Sequence, residues 1–456
     1  MMMLSEASVA MQGSLSGADL LFDSVEFDTR RIAPGALFFA IHGERQNGHQ
    51  FIAQAMQNKA VSSVVDEVFS GQEDTSHIRV EDTTLALGKL AGHWRSKFDC
   101  PVVGITGSNG KTTVSQMVST IFAEHLPGIA PQGSFNNHWG VPLTLLKLRK
   151  SDRSAVIEMG MNHPGELSYL GEIVRPSVAL ITNAAAAHLE GLGSIEGVAL
   201  AKGEIIDSVE KAGVVILNRD DDFYSQWRTR AGQRGVISFG AHDRADVRIV
   251  ASDKDDLVLN IAAQDFTFEY ALPGWHNKMN AAAAVAVAIA VGLPMNSIGD
   301  GLARVSAVSG RLDMMTLENG LVVIDDSYNA NQASMQAAIE VLASREGLKI
   351  LVLGGMGELG SASADIHREI GTFAHSRGVD ILLTLVDQSG VAYVSDMANY
   401  LQGFGAQAMA FSNASMLVNK IRMLAQGPTT VLVKGSRFAA MERVVEALKQ
   451  PEVQAC

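Results

Sequence analysis

The sequence predicts an α/β protein of three domains, and three observations support that fold class. The 456 residues suffice for about three domains of ordinary size. Short apolar segments alternate with helical stretches over most of the chain, which is typical of parallel sheets. A glycine-rich loop joins one of these strands to a helix. We therefore expect a small α/β domain (1–84), a central parallel-sheet domain (85–310) and a C-terminal Rossmann-like domain (311–456).

The first segment contains an apolar run, Ala36 to Ile41, that predicts a strand between two polar loops. Thr29 and Arg30 lie in the first loop, and Arg45 lies in the second. An arginine fork suits carboxylate or phosphate groups. From chemistry alone, however, solvated loop charges explain these residues better than a binding site does.

The central segment opens with the stretch Gly104 to Thr113, which reads GITGSNGKTT. An apolar strand precedes it, and apolar residues at helical spacing follow it from Val114 onward. Glycines let backbone N–H groups turn toward phosphate oxygens, Lys111 adds a mobile positive charge, and Thr112 offers a hydroxyl to magnesium. The spacing differs from a strict Walker A motif, which would need glycine at Ile105. We nevertheless predict a nucleotide phosphate loop, because a simple turn needs neither Lys111 nor Thr112.

Two further predicted strands in the central segment end in polar residues, at Glu158 and at Asn183. The carboxyl ends of parallel strands meet at one edge of a sheet, so Glu158 should lie near Thr112. A carboxylate in that position is what phosphate-loop enzymes use to hold or position magnesium.

Other polar residues in this segment are ambiguous from sequence alone. His188, Glu190 and Lys202 have no spacing that separates a ligand from an ordinary surface or core residue. Asn277 and Asn280 lie three residues apart at the start of an alanine-rich helix, where capping the helix and hydrogen-bonding a base both fit. Capping is the favoured role for one of them.

The third segment begins near Gly310 and again alternates apolar strands with helices. Its predicted strands end in three polar or glycine-rich stretches: 325–331, 354–360 and 434–437. The glycines of 354–360 do not match the dinucleotide-binding fingerprint, so a glycine turn is the favoured interpretation.

Composition limits the classes of partner. The net charge is -13 and no basic stripe occurs, which argues against nucleic acid. Two cysteines, Cys100 and Cys456, indicate neither a disulfide framework nor a cysteine metal site. The amino terminus lacks a signal-peptide pattern, and the longest apolar run, 281–291, is too short to span a bilayer. We expect a cytoplasmic monomer without a membrane anchor.

Several strings together resemble the Mur ligase family. The resemblance extends over the whole chain, and its most member-specific part is Ser327-Tyr-Asn-Ala-Asn331. The Asp-Asn-Pro-Arg string of the diaminopimelate-adding member is absent. Gln332 and Gly355 depart from the family pattern, which usually has proline and aspartate there. The strings are 28–30, 43–45, 104–113, 185–191, 201–204, 276–280 and 325–331.

The resemblance implies an ATP-dependent amide ligase whose substrates are a UDP-linked muramoyl tripeptide and D-alanyl-D-alanine. ATP would convert the tripeptide carboxylate into an acyl phosphate, which the dipeptide amine then attacks, with two Mg²⁺ ions as cofactors. Lys202 would be a carbamylated lysine, and His188 would serve the second metal. The remaining implied roles are phosphate and first-metal contacts at Gly107, Ser108, Asn109, Gly110, Lys111, Thr112, Thr113 and Glu158, nucleotide contacts at Asn277, Asn280, Arg311, Asp326 and Tyr328, and UDP-substrate contacts at Thr29, Arg30, Gly43, Asn136 and Asn137.

Three other functions remain open at this point. A folylpolyglutamate synthase is an amide ligase of the same superfamily, but it would not need a separate domain for UDP. A phosphate-loop kinase would transfer phosphate to a stable acceptor and form no amide. A nucleotide-dependent switch would turn over little ATP.

Overall fold

The computed structural model describes the chain except residues 44–45, 70–75, 132, 134, 187–188, 251–255, 387–391 and 451–456. The side chains of residues 189–190 and 392–395 are also outside the description. Over the part that is described, no helix has the length and hydrophobicity needed to cross a membrane.

The first domain contains a five-stranded sheet in the order β2-β7-β6-β5-β4 and a small β1-β3 pair. Strands β4 to β7 are parallel, and β2 is antiparallel to β7. All four residues of β5 are buried, as expected for a strand covered on both faces. The elements are β1 Met2–Met3, α1 Leu4–Met11, β2 Ser14–Ser16, β3 Leu21–Phe22, β4 Ser24–Glu26, β5 Ala36–Phe39, α2 Ile52–Gln57, β6 Ser62–Val65, β7 His77–Arg79 and α3 Thr83–Arg95.

The central domain is an eight-stranded sheet in the order β15-β14-β13-β12-β11-β10-β8-β9. It is parallel from β9 to β13, and β13 to β15 form an antiparallel ribbon. Apolar side chains of α4, α10 and α11 cover one face of this sheet. The elements are β8 Val102–Thr106, α4 Lys111–Phe122, α5 Gly140–Leu145, β9 Ala155–Glu158, α6 Glu166–Val174, β10 Val178–Ile181, α7 Leu189–Leu192, α8 Ile195–Asp207, β11 Val214–Asn218, α9 Tyr224–Ala231, β12 Gly235–Gly240, β13 Val247–Val250, β14 Leu257–Ile261, β15 Gln264–Phe268, α10 Trp275–Ala290 and α11 Met295–Ala303.

The third domain is a six-stranded sheet in the order β16-β17-β21-β18-β19-β20. Only its edge strand β16 is antiparallel to its neighbour, and separate apolar clusters cover the two faces. The predicted α/β class with a Rossmann-like third domain is confirmed. The elements are β16 Asp313–Thr316, β17 Val322–Asp326, α12 Gln332–Ala343, β18 Leu348–Leu353, α13 Ser363–Ser376, β19 Ile381–Leu385, α14 Ala392–Phe404, β20 Ala408–Phe411, α15 Ala414–Leu424, β21 Thr429–Lys434 and α16 Glu442–Lys449.

The order of strands in the central sheet fixes where a ligand can bind. Strand β8 lies between β9 and β10. The chain passes from β8 to β9 on one side and then crosses over to β10 on the other side. Such a reversal of strand order opens a crevice at the carboxyl ends of the strands. The glycine-rich loop follows β8 at this crevice, as the sequence predicts.

Candidate active site

A cleft of about 1370 Å³ lies where the three domains meet. The central domain supplies most of its wall through the ends of β8, β9 and β10 and the start of α10. The first domain contributes Gly43 and Gln46, and the third contributes the ends of β17 and β21 and one side of α12. Most of the sequence-predicted site residues therefore line one cavity.

The phosphate loop is held by the end of β10. Ser108 N donates to the Asn183 carbonyl at 3.0 Å, and Asn109 N donates to Asn183 Oδ1 at the same distance. Thr182 Oγ1 donates to the Asn109 carbonyl at 2.6 Å. Glycine is required at Gly107, where φ is +151° and a Cβ would overlap the Thr182 hydroxyl. The loop is therefore preformed.

Lys111 begins α4, and its side chain folds back over the loop. Its Nζ donates to the Gly107 carbonyl at 2.7 Å. Burial lowers the pKa of Lys111, Arg311 lowers it further, and Glu158 opposes the shift. An amine held over the loop lies where it can contact phosphate oxygens.

Glu158 and Thr112 form the pair that parallel-strand topology predicts. Thr112 Oγ1 donates to Glu158 Oε2 at 2.8 Å, and Asn136 Nδ2 donates to the other carboxylate oxygen at 2.7 Å. Arg311 Nη2 reaches Thr112 Oγ1 from the third domain at 2.9 Å. The 2.8 Å separation fits Mg²⁺, since two adjacent ligands of an octahedral ion at about 2.1 Å lie roughly 3 Å apart.

Lys202 lies in α8 and is only 2% exposed, yet it lines the cleft. Among the described residues, no hydrogen bond or ion pair reaches its amine. Its pKa lies well below the ordinary lysine value because it is buried and because Lys111 is nearby, with Asp221 opposing the shift. A neutral amine is the form that takes up carbon dioxide. His188, the other residue implied for the second metal, lies outside the described residues, as does Arg45.

Asn277 and Asn280 both face the cleft from the first turns of α10. The helix starts at Trp275 with Gly274 as its N-cap, so the interpretation that one asparagine caps it is wrong. Asn277 Nδ2 donates to the Pro273 carbonyl at 2.8 Å, and Asn280 Nδ2 donates to Asn277 Oδ1 at 3.3 Å. Neither side chain caps the helix, and both line the cleft.

The third domain contributes a stacked cation and a buried ion pair. The Arg311 guanidinium lies 4.4 Å from the Tyr328 ring centroid. Asp326 accepts a 2.5 Å bond from Lys434 Nζ and a 3.2 Å bond from Leu312 N. Burial raises the pKa of Asp326, and Lys434 opposes the shift. Asp326 lines the cleft, and both of its oxygens already have protein partners.

Two residues predicted to bind the UDP substrate do not line the cleft. Thr29 is buried and donates to Gln54 Oε1 at 3.0 Å, and Arg30 is exposed and pairs with Asp28. Gly43, Asn136 and Asn137 do line it. Asn136 orients Glu158, however, and Asn137 Oδ1 accepts from Trp139 N and Gly140 N at the start of α5.

A histidine cluster stands beside the Gly43 loop. His42 Nε2 lies 2.7 Å from Asp66 Oδ2, and His49 Nε2 accepts a hydrogen bond from Asp66 N at 3.2 Å. His49 Nδ1 lies 2.8 Å from Asn47 Oδ1. These hydrogen bonds tie His42 and His49 to the residue that follows β6.

Three family models match the chain in the order of its domains. Residues 22–95 match the Mur ligase family catalytic domain, 105–288 the Mur ligase middle domain, and 310–437 the Mur ligase glutamate ligase domain. The chain belongs to the Mur ligase family. The UDP-N-acetylmuramoyl-tripeptide--D-alanyl-D-alanine ligase of Escherichia coli K12 is 39% identical over 454 residues, which are 98% of each chain.

Solved Mur ligase structures resemble the whole fold. MurF from Acinetobacter baumannii superposes with a TM-score of 0.89 at 32% identity, covering 98% of both chains. MurF from Thermotoga maritima, solved in complex with ADP, gives 0.81 at 25% identity and covers 95% of this chain and 98% of its own. The order and arrangement of the three domains are therefore those of these ligases.

Several residues of this Mur ligase cleft have no distinctive sequence pattern. Thr182 and Asn183 hold the phosphate loop, and Asp221 accepts from Ala184 N at 2.8 Å, which fixes the segment after β10. Each follows the end of a parallel strand. Their position after a predicted strand is the feature of the sequence that could have identified them. That position does not indicate which neighbouring residue a polar side chain will contact.

His276 gives this Mur ligase a pH-dependent stability. Burial, with a contribution from Lys434, lowers its pKa to about 4, and its buried Nε2 has no hydrogen-bond partner among the described residues. The folded state therefore disfavours the proton that the unfolded chain binds near pH 6.5. This contribution is present above pH 6.5 and is lost as the pH falls toward 4, by about 2 kcal/mol between pH 7.5 and 5.

Thermal unfolding at two pH values tests the direction of this pH dependence. We expect the Tm of the wild type to fall more between pH 7.5 and 5 than that of His276→Gln, because glutamine at position 276 does not titrate while all other titratable groups are kept. Equal falls in the two proteins would contradict the assignment to His276.

Proposed function

We propose that this chain joins D-alanyl-D-alanine to a UDP-N-acetylmuramoyl tripeptide in an ATP-dependent step of peptidoglycan precursor synthesis. The observation that carries the proposal is the convergence of the phosphate loop, the Thr112–Glu158 pair and the buried Lys202 amine in one cleft with walls from all three domains. Similarity over nearly the full length to the E. coli ligase of that name supports the choice of substrates.

The chemistry needs an activated carboxylate. A carboxylate oxygen of the tripeptide attacks the γ-phosphorus of ATP, the bond to ADP breaks, and an acyl phosphate forms. The dipeptide amine, having lost its ammonium proton to solvent, then attacks the carbonyl carbon; the carbon–oxygen bond to phosphate breaks, and the nitrogen loses a second proton to the departing phosphate as the amide forms. Positioning matters because water competes with the amine for the acyl phosphate.

Different residues of the cleft bind different parts of ATP. Lys111 and the N–H groups of the loop bind the β- and γ-phosphates. Arg311 approaches the same site from the third domain, so closure of that domain adds a positive charge beside the transferring group. Asn277 and Asn280 contact the adenine, and Tyr328 and Asp326 contact the rest of the nucleoside.

The donor set fits magnesium. Thr112 and Glu158 would hold one Mg²⁺, and a carbamate on Lys202 together with His188 would hold a second. Bound magnesium supplies positive charge that stabilises the phosphoryl oxygens in the transition state. Asn136 fixes the orientation of the Glu158 carboxylate.

The first domain would hold the UDP end of the substrate around Gly43, with Asn137 from the central domain. Thr29 and Arg30 remain candidates for the more distant part of that substrate, since both lie outside the cleft wall. Cys100 is a free thiol, which suits a reducing compartment such as the cytoplasm.

Product analysis tests the proposal. We expect ADP and phosphate to be released only when ATP, the UDP-tripeptide and D-alanyl-D-alanine are all present, together with a UDP-pentapeptide detected by mass spectrometry. Omission of any one substrate is the control. ATP turnover without either peptide, or a phosphorylated product without an amide, would support a switch or a kinase instead. Turnover with a folate and glutamate would support the folylpolyglutamate reaction.

A further inference from the structure

One hydrogen bond ties the phosphate loop directly to a helix of the third domain. Asn331 Nδ2 donates to Asn109 Oδ1 at 2.8 Å, across 222 positions of sequence. Asn109 lies between Gly107 and Gly110, in the part of the loop that Thr182 and Asn183 hold. The link therefore starts from a fixed point in the central domain.

The same asparagine side chain starts α12. Asn331 Oδ1 accepts from Ser334 N at 2.9 Å, and Ser334 Oγ accepts from Asn331 N at 3.0 Å, which together form a capping box. One amide group thus uses its oxygen to begin the helix and its nitrogen to reach the loop. The Asn331 side chain therefore links the first turn of α12 directly to the loop.

Helix α12 forms the wall of the cleft beside the loop. Its side chains there are small: Ala333, Ser334 and Ala337. In the proposed reaction the attacking amine must come within bonding distance of the carbonyl carbon, which is itself bonded through oxygen to the transferred phosphorus. Space beside the loop, bounded by small side chains, suits the dipeptide acceptor.

We propose that Asn331 is a positioning residue that couples the phosphate loop to the acceptor side of the cleft. This inference rests on the proposed function. When the third domain has closed on the loop, Asn331 holds the first turn of α12 against Asn109. This contact fixes the position of the α12 side chains that line the acceptor side of the cleft. Because coupling between two sites is reciprocal, closure of the third domain on the loop favours binding of the acceptor, and a bound acceptor favours that closure.

A double-mutant cycle tests the link. Asn331→Ser keeps a good N-cap but is too short to reach Asn109, and Asn109→Ala removes the bond from the other side. We expect each variant to lose about tenfold in kcat/KM for D-alanyl-D-alanine, and the double variant to lose about tenfold as well, rather than a hundredfold. The KM for the UDP-tripeptide should change less than twofold.

The chain offers a matched control in Asn413, which caps α15 of the same domain and is exposed. Asn413→Ser makes the same substitution at an N-cap and should leave all kinetic constants unchanged. Additive losses in the double variant, no loss in Asn331→Ser, an equal rise in the UDP-tripeptide KM, or a similar loss in Asn413→Ser would overturn the inference. A wild type without dipeptide-dependent turnover would instead contradict the proposed function.

Discussion

Replacement of Glu158 by alanine is expected to lower kcat by several orders of magnitude, roughly a thousandfold or more, with the fold intact. Glu158 is 2% exposed, but its carboxylate is at the open end of β9, where Thr112 and Asn136 each bind one oxygen. Removing it takes away the negative ligand that would hold magnesium at the transferring phosphoryl group. Phosphate release under saturating substrates measures the loss, and Tm measures the fold.

Glu158→Gln separates charge from packing. Glutamine keeps the volume and can still accept from Asn136, but it offers magnesium a neutral amide oxygen in place of a carboxylate. We expect it to lose nearly as much activity as alanine, and a higher Mg²⁺ concentration to restore part of it. Wild-type turnover in either variant would exclude the metal role.

Much of the fold can be predicted from the sequence because the central strands of its parallel sheets, such as β5, β8, β10 and β21, are buried along their whole length. Such strands are continuous apolar runs: the predicted strand Ala36 to Ile41 is observed as β5, Ala36–Phe39, and the strand predicted to end at Glu158 is observed as β9, Ala155–Glu158. Their order then placed Glu158 beside Thr112. The prediction succeeded because parallel topology alone brings strand ends together.

Contacts between domains could not be predicted from the sequence. Asn109 and Asn331 belong to different domains, and no local pattern says that they meet. Asn136 was assigned to substrate by resemblance, yet its side chain is bonded to Glu158. The capping role expected for Asn277 or Asn280 is wrong because α10 begins at Trp275 with Gly274 as its N-cap, so both asparagines already lie inside the helix.

Replacement of Lys202 by alanine is expected to lower kcat roughly a hundredfold or more. A buried lysine without a partner among the described residues is costly, and Lys111 nearby adds repulsion. Carbamylation resolves both problems: the neutral amine adds to carbon dioxide, one proton is released, and a cation becomes an anionic oxygen ligand. Turnover of the variant with all three substrates, measured by phosphate release, gives the size of the loss.

Chemical rescue and labelling distinguish the carbamate from a plain lysine. Short-chain carboxylates should restore part of the activity of Lys202→Ala, because they return an anionic oxygen to the cavity, but none to Lys202→Arg, where a longer cation fills the space. Wild-type protein equilibrated with ¹³C-labelled bicarbonate should show a carbamate carbon signal by NMR that both variants lack. Full activity in Lys202→Arg would contradict the carbamate, since arginine retains the charge but cannot take up carbon dioxide. The absence of a labelled signal in active wild-type enzyme would contradict it equally, whatever the variants do.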